Sequence, residues 1–284
     1  DRGDYLSSMA MNFGYVVAME DLMDIKVNDR VEHIRVVMAE LQRIASHLLC
    51  TGVFGLDLGA FTPFLWALRD RERILDLFEL TCGARLLYNY MWVGGLSHDI
   101  PNGFVESTFE FLDYFEPKVD ELENILAHNK ILVERSADIG VMPKDVAISY
   151  GVTGPNLRAS GVNWDLRKND PYSIYDRFEF DIPIGEGIKG TVGDCWDRFY
   201  VRILEIRESV KIIRQALASM PKDGDVHQSL PKKLRPPKGS IYSRTETPRG
   251  DLGYYIESDG SPIPYRLKMR SPAFTALSVI DEIG

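Results

Sequence analysis

The chain has 284 residues, of which 45% are hydrophobic and 26% charged, and its formal net charge at pH 7 is -9. This length and composition allow a substantial core in one large domain or two small ones. The acidic balance, without a basic stripe, argues against nucleic acid as the main partner, because phosphate contacts need clustered Lys and Arg.

Five long amphipathic helices are predicted along the chain. In the second, apolar residues recur at helical spacing from Ile34 to Leu48. The third opens with Thr62 as an N-cap before Pro63 and ends at Gly83. The predicted helices cover residues 5–24, 28–50, 62–83, 105–129 and 195–220. Helices of this number and kind indicate a bundle.

The rest of the chain divides into two regions. Between the fourth and fifth helices, many Gly, Pro and Asp residues alternate with short apolar runs, which favours an ordered functional loop over a linker. From Ser240 onwards, alternating residues and two turn signals predict a small β-meander. We expect one mainly α (α+β) domain, residues 1–284, with bundle helices in 1–135 and 195–220, the ordered loop in 136–194, and a connector plus the meander in 221–284.

The residues that could hold a metal show no suitable spacing. Cys50, Cys82 and Cys195 include no CxxC pair, which removes the usual zinc, iron–sulfur and redox-dithiol patterns and predicts buried, reduced thiols. The histidines form no HxxxH or HExxH pattern, so we expect no metal bound by this chain alone. His47, on the apolar side of its helix, is expected to be a hydrogen-bonded core residue. Charges interrupt every apolar run before about 18 residues, so no segment is expected to span a membrane.

The densest cluster of glycine and polar residues is TGPNLRASGVNWDLRK, residues 153–168. It is similar to a phosphate cradle, but it lacks both GxxxxGK[ST] and GxGxxG, so nucleotide binding is not favoured. Arg158 and Arg167 are therefore expected either in ion pairs or against a partner subunit.

Two further residues leave alternatives open. Tyr5 follows DRGD at the start of the first helix, and the residues alone favour a partly buried tyrosine with a satisfied hydroxyl. Asp57 lies among apolar and small residues in GLDLGAFTPF. It is either an exposed cap or loop carboxylate, or a buried one that a partner must stabilise.

Several longer motifs occur in one order from end to end of the chain. They are DRGDYLSSM, IRVVMAELQRIASHLL, GLDLGAFTPF, RERILDLFE, LRASGVNWDLRK, RESVKIIRQAL and PRGDLGYYIESDGSPIPYRLKMRSPAF. Together they resemble the quinone-site subunit of NADH:quinone oxidoreductase, the D subunit of respiratory complex I. The resemblance implies the helix bundle of the nickel–iron hydrogenase large subunit, with a small C-terminal β-meander.

The resemblance also implies a reaction and its site. Electrons would pass from an iron–sulfur cluster in a neighbouring subunit to a quinone, with no cofactor bound by this chain alone. The family's DRxDY tyrosine, which donates a hydrogen bond to a quinone carbonyl, matches Tyr5. The family's LDLGA aspartate, which backs a histidine on the other carbonyl, matches Asp57, and that histidine would precede residue 1. Quinone reduction needs two electrons and two protons, which suits a phenol and a carboxylate-backed imidazole as neutral donors.

The implied partners are the iron–sulfur subunit with the terminal cluster, a homologue of the C subunit of the complex, and membrane subunits at the quinone channel. The substrate would be menaquinone or ubiquinone, and its reduction would be coupled to proton translocation. The implied location is peripheral, on the cytoplasmic side of a bacterial inner membrane or the matrix side of a mitochondrial one.

The chain departs from the family pattern in two places. It has Leu87 in GARLLYNY, where many relatives have a histidine near the cluster, and a lower-potential quinone such as menaquinone is compatible with that change. The connector at 221–238 is shorter than in relatives, and we expect the chain to be incomplete there and at both ends.

Two alternatives to this function remain. A hydrogenase-like large subunit would need two pairs of cysteine thiolates for nickel, and the chain has no CxxC. A noncatalytic scaffold subunit of a ferredoxin- or formate-linked relative would use the same bundle only to dock its partners.

Overall fold

A computed structural model describes residues 3–284. In chain order the elements are a 3-10 turn (Tyr5–Ser7), α1 (Ser8–Met23), α2 (Asp29–Asp57), α3 (Phe61–Cys82), β1 (Met91–Trp92), β2 (Gly95–Leu96), α4 (Phe104–Leu126), α5 (Lys130–Ser136), α6 (Lys144–Ser149), α7 (Pro155–Ala159), α8 (Leu166–Asn169), a second 3-10 turn (Tyr175–Arg177), α9 (Cys195–Ser219), β3 (Gly239–Thr247), β4 (Gly250–Ser258), β5 (Arg266–Arg270), α10 (Pro272–Leu277) and α11 (Ile280–Ile283). The predicted mainly α fold with a small C-terminal meander is confirmed. None of the helices in this range is long and apolar enough to cross a membrane.

The central element is α2, which packs against α1, α3 and α9. Its first turn is fixed by Asn28, whose side chain accepts a hydrogen bond from the backbone N–H of Val31 at 3.0 Å. The helix has 29 residues, so it is about 43 Å long at a rise of about 1.5 Å per residue. It supplies residues both to the interior and, at its C-terminal end, to the candidate site.

The predicted end of this helix near residue 50 is wrong, because α2 continues to Asp57. Glycine has low intrinsic helix propensity, and this made the segment resemble a loop. Packing overrides the propensity here. A Cβ on Gly52 would lie 3.0 Å from the Ala67 side chain of α3, and one on Gly55 would lie 2.9 Å from the Leu126 side chain of α4. Both glycines therefore let neighbouring helices approach closely.

The third helix begins two residues earlier than predicted. Its N-cap is Ala60, which makes no side-chain cap hydrogen bond, and Thr62 lies within the first helical turn. The predicted Thr62 cap is therefore wrong. The predicted stop is confirmed, since Gly83 adopts the left-handed conformation with φ of 69° and its N–H bonds the carbonyl of Glu79.

The meander is an antiparallel sheet of order β3-β4-β5 that covers α1. Helix and sheet meet closely at Gly14, where a Cβ would lie 2.7 Å from the hydroxyl of Thr245. A small apolar cluster seals this contact. Its buried members are Met11, Ala18, Met19, Leu252, Tyr254 and Ile256.

The segment from 136 to 194 contains α6, α7, α8 and the second 3-10 turn. It packs against α9 through α7 and against β3 through α8, and it sends Arg158 and Arg167 into the interior. The connector after α9 is held against β2 by a hydrogen bond from Leu96 N–H to the Val226 carbonyl at 2.7 Å. The interruption expected at 221–238 stays a prediction.

Candidate functional site

Tyr5 lies on a turn that its neighbours hold firmly. The Asp4 carboxylate accepts hydrogen bonds from Leu6 N–H at 3.0 Å and from the Ser7 hydroxyl at 2.9 Å. Arg249, at the tip of the β3–β4 hairpin, forms an ion pair with Asp4 at 3.0 Å. The Tyr5 side chain itself is 59% exposed, and its hydroxyl has no hydrogen-bond partner among residues 3–284. The partly buried, satisfied tyrosine favoured by the residues alone is therefore wrong for this chain.

Asp57 is the last residue of α2 and is exposed. Within the described chain its carboxylate has neither a hydrogen-bond donor nor an ion-pair partner. Of the two alternatives for Asp57, the exposed carboxylate is therefore the one that the structure shows. Asp57 lies at the end of a helix and not in a loop. Arg135 donates a hydrogen bond to the carbonyl of the next residue, Leu58, at 3.0 Å and so offsets the negative end of the helix dipole.

Tyr5 and Asp57 border one face of α2 without touching. The turn that carries Tyr5 is tied to the helix at Ser46, because Arg249 bonds the hydroxyls of both Ser46 and Ser7, at 3.0 and 3.3 Å. Asp57 follows Ser46 by 11 residues, which places it about 16 Å further along the helix and only about 20° around it. The turn that carries Tyr5 and the Asp57 carboxylate therefore stand at opposite ends of one stripe on α2.

The stripe and its surroundings are exposed and partly apolar. Cys50 and Val53 lie on α2 between the two ends, and both are exposed. Phe61 and Leu65, on the first turns of α3, are 58% and 47% exposed. Sequence reasoning did not single out these residues. The available signal was that Val53 and Phe61 are large apolar side chains close to Asp57 in the sequence.

The two arginines of the loop region belong to a buried charge cluster. We use this name for Glu40, Arg43, Arg158, Asp165, Arg167, Glu205 and Glu246, all of which are buried. Arg158 donates to Glu205 at 2.8 Å and to Glu246 at 2.9 Å. Arg167 contacts Asp165 at 2.7 Å and Glu40 at 3.0 Å. The ion-pair alternative thus describes both arginines, since neither is exposed enough in this fold to meet a partner subunit.

The buried charge cluster contains four carboxylates and three guanidiniums, so one negative charge lacks a counterion. Burial, with the nearby charge of Asp165, raises the pKa of Glu246 to about 7 against the opposing effect of Arg158. Burial also tends to raise the pKa of Asp165, but Arg167 and Arg158 hold it at about 2. Glu246 is therefore the carboxylate that keeps a proton near neutral pH.

His47 lies at the edge of this cluster as a buried, hydrogen-bonded residue, as predicted. Its Nε2 is 2.8 Å from the carboxylate of Glu205. Burial lowers the pKa of His47 to about 4, although Glu205 opposes the shift. The imidazole is thus neutral at pH 7 and its Nε2–H donates to Glu205.

No group of three or more His, Cys, Asp or Glu side chains is placed to hold a metal within residues 3–284. The three cysteines are free, but the prediction that they are buried is wrong: Cys50 is exposed, and Cys82 and Cys195 are partly exposed. Leu87 is 54% exposed and lies close to the turn of Tyr5, since Ser8 donates a hydrogen bond to the carbonyl of Leu86 at 2.8 Å.

Comparisons with known proteins identify the family. A family model described as respiratory-chain NADH dehydrogenase, 49 Kd subunit, matches residues 57–236 and 227–284. The D subunit of NADH-quinone oxidoreductase from Chlorobium phaeovibrioides is 52% identical over 287 residues, covering 100% of this chain and 72% of the relative; the protein of that name from Chlorobaculum tepidum gives the same figures. A D subunit of the same enzyme from Cytophaga hutchinsonii is 50% identical over 293 residues, covering 100% of this chain and 75% of the relative. The chain therefore belongs to the family of the 49 Kd subunit of respiratory-chain NADH dehydrogenase, and it is part of an oxidoreductase complex.

Proposed function

We propose that this chain forms the quinone-reducing site of its complex and that Tyr5 donates a hydrogen bond to a carbonyl of the quinone. The observation that carries the proposal is the state of the Tyr5 hydroxyl, which is exposed and has no partner among the described residues, on a turn fixed by Asp4 and Arg249. An ordered backbone with a free donor is the arrangement that a binding site needs.

The reaction converts a quinone, two electrons and two protons into a quinol. Electrons come from an iron–sulfur cluster of a neighbouring subunit, and Tyr5 stabilises the oxyanion that develops on the ring oxygen. Asp57, at the far end of the stripe, holds a histidine that comes from outside residues 3–284. None of the histidines in the described chain bonds Asp57, and His47 is already committed to Glu205.

The exposed apolar residues suit both the substrate and the partner. A quinone is largely apolar, and Val53, Phe61 and Leu65 offer it a surface next to Asp57. The remainder of that surface would be covered by the iron–sulfur subunit. The homologue of the C subunit and the membrane subunits complete the assembly, which is peripheral to the membrane, on the cytoplasmic or matrix side, and couples menaquinone or ubiquinone reduction to proton translocation.

The test is the substitution Tyr5→Phe, which removes only the hydroxyl. Loss of a positioned proton donor is expected to lower NADH:quinone reductase activity by about 100-fold. Oxidation of NADH by an artificial acceptor that takes electrons upstream of the quinone is expected to be unchanged. Tyr265→Phe is the matched control, because that phenol is 73% exposed on the loop before β5 and is not one of the residues of the proposed site.

Near-normal quinone turnover in the Tyr5→Phe enzyme would contradict the proposal. That result would favour the noncatalytic scaffold, in which the bundle docks partners and the phenol has no chemical task. The hydrogenase-like alternative has no support from the matched family or from the names of the relatives.

A further inference from the structure

A buried glutamine of α2 holds the backbone next to Tyr5. Gln42 is 1% exposed, and its Nε2 donates a hydrogen bond to the carbonyl oxygen of Leu6 at 2.9 Å. A backbone carbonyl only accepts hydrogen bonds, so the amide nitrogen of Gln42, and not its oxygen, must face Leu6. The contact joins the central helix of the bundle to the turn that carries Tyr5.

The bond from Gln42 completes the fixation of two successive peptide groups beside Tyr5. In the peptide group between Tyr5 and Leu6, the N–H donates to the Asp4 carboxylate at 3.0 Å. In the next peptide group, the N–H of Ser7 donates to the Asp4 carbonyl at 3.2 Å, and the carbonyl of Leu6 accepts from Gln42. The backbone that directs the Tyr5 side chain is therefore held on both sides of Leu6.

The turn is attached to α2 at two points one helical turn apart. Gln42 bonds it directly, whereas Ser46 is connected to it through Arg249, which contacts the hydroxyls of Ser46 and Ser7 at 3.0 and 3.3 Å. Residues four apart on a helix lie on one face. A single attachment would leave the turn free to rotate about it, but two attachments fix its direction along the helix.

The two attachments differ in their access to water. The Arg249 side chain is 30% exposed, whereas Gln42 is almost completely buried. A hydrogen bond in the low-dielectric interior is electrostatically stronger than one that water competes for. The contact between Gln42 and Leu6 is therefore the more rigid of the two.

We propose that Gln42 is a positioning residue for quinone reduction, which holds the Leu6 carbonyl and thereby places the Tyr5 hydroxyl against the quinone carbonyl. The inference rests on the proposed function of Tyr5 and adds the residue through which α2 controls it. Gln42 acts through the backbone and does not contact the quinone, because its amide is buried. The effect is substantial, since a misplacement of about 1 Å in a reacting group lowers a rate by up to about 100-fold.

The experiment compares Gln42→Met, Tyr5→Phe and the double variant in the assembled complex, with a short-chain quinone as the substrate. Methionine has nearly the length of glutamine but no N–H donor, so the substitution removes the bond with little change in volume. Gln42→Met is expected to lower kcat about 10-fold and to change KM by less than about twofold, since the phenol is present but misplaced in the transition state.

The double variant distinguishes positioning from a merely structural role. Without the Tyr5 hydroxyl there is no donor left to position, so the double variant is expected to equal Tyr5→Phe within about twofold. Independent structural damage by Gln42→Met would instead multiply the two losses to about 1,000-fold.

Two controls report on folding and assembly. Thr108→Val removes a buried hydroxyl that bonds the Phe104 carbonyl within α4 at 2.7 Å, and it is expected to leave quinone turnover unchanged. Oxidation of NADH by an acceptor that takes electrons upstream of the quinone is expected to be unchanged in every variant. If Gln42→Met does not assemble, Gln42→Leu replaces it, and failure of both would assign Gln42 to folding and overturn the proposal.

The outcomes separate this inference from the function on which it rests. Normal turnover in Gln42→Met, or losses that multiply in the double variant, would overturn the positioning role and leave the role of Tyr5 intact. Normal turnover in Tyr5→Phe would contradict the proposed function, and the positioning role would fail with it.

Discussion

Replacing Arg158 by leucine is expected to destabilise the fold by about 3–5 kcal/mol, which is the usual cost of breaking a buried ion pair from one side. Arg158 is completely buried and contacts three carboxylates, those of Glu205, Glu246 and Asp165, at 2.7, 2.9 and 3.4 Å. Without it, the four carboxylates of the buried charge cluster face only two guanidiniums. Leucine fills part of the space but neutralises none of the charge.

Proton uptake will relieve part of this cost. Glu246 has its pKa raised to about 7 even with Arg158 in place, and removal of the guanidinium raises it further. Each additional pKa unit corresponds to about 1.4 kcal/mol of differential stability. The destabilisation by Arg158→Leu is therefore expected to be larger at pH 8, where keeping Glu246 protonated costs more free energy, than at pH 5.

The assay is urea unfolding of the expressed chain, followed by circular dichroism at pH 5 and pH 8. Arg207→Leu is the control, because its ion pairs with Asp120 and Glu123 lie at the surface and exposed pairs contribute about 1 kcal/mol or less. Equal shifts in the urea midpoint for the two variants, or a loss at Arg158 that does not change with pH, would refute the reasoning.

Three further results are expected. The pKa of Glu246 is about 7 in the fold and 4.5 in the reference state, so its bound proton stabilises the fold below pH 4.5 and this contribution is lost as pH rises through 7. Glu246→Gln should therefore flatten the fall in urea midpoint between pH 5 and pH 8, and an unchanged slope would assign the fall to other groups. Asp57→Asn should lower quinone turnover while the unfolding free energy changes by about 0.5 kcal/mol or less, because the carboxylate is exposed; failure to assemble would instead indicate a structural role. Gly14→Val should cost about 1–3 kcal/mol by forcing the meander away from α1 at Thr245, a loss that a normal thermal midpoint would contradict.

Sequence patterns within a single segment predicted the ends of a helix well where one local physical rule determines them. The α9 bounds agree to one residue with the amphipathic pattern, and Gly83 ends α3 because its left-handed backbone conformation favours glycine. The end of α2 was missed because Gly52 and Gly55 are tolerated only through contacts with α3 and α4, and such contacts cannot be read from local propensity.

In the candidate site, too, local motifs identified individual residues, whereas contacts between distant segments could not be predicted. The motif around Tyr5 marked the residue, but the turn that exposes it is held by Arg249, which lies near the other end of the chain. Ion pairing of Arg158 was anticipated as one alternative, whereas its partners Glu205 and Glu246 were not, because they are 47 and 88 residues distant. Which carboxylate meets which arginine is decided by how the helices and the hairpin pack, and no local pattern records that.

Strands β3 and β4 pack on α1, so this contact can form only late in synthesis of the chain. The packing therefore affects how the chain folds during translation. The Tyr254 hydroxyl donates to the carbonyl of Met11 at 3.2 Å across 243 residues. At a translation rate of about 5–20 residues per second, the face of α1 that packs on the meander stays uncovered for about 12–50 s after its own synthesis. A ribosome-bound chain that stops before residue 250 therefore presents this face of α1, with Met11, Ala18 and Met19, to chaperones and proteases until the hairpin covers it.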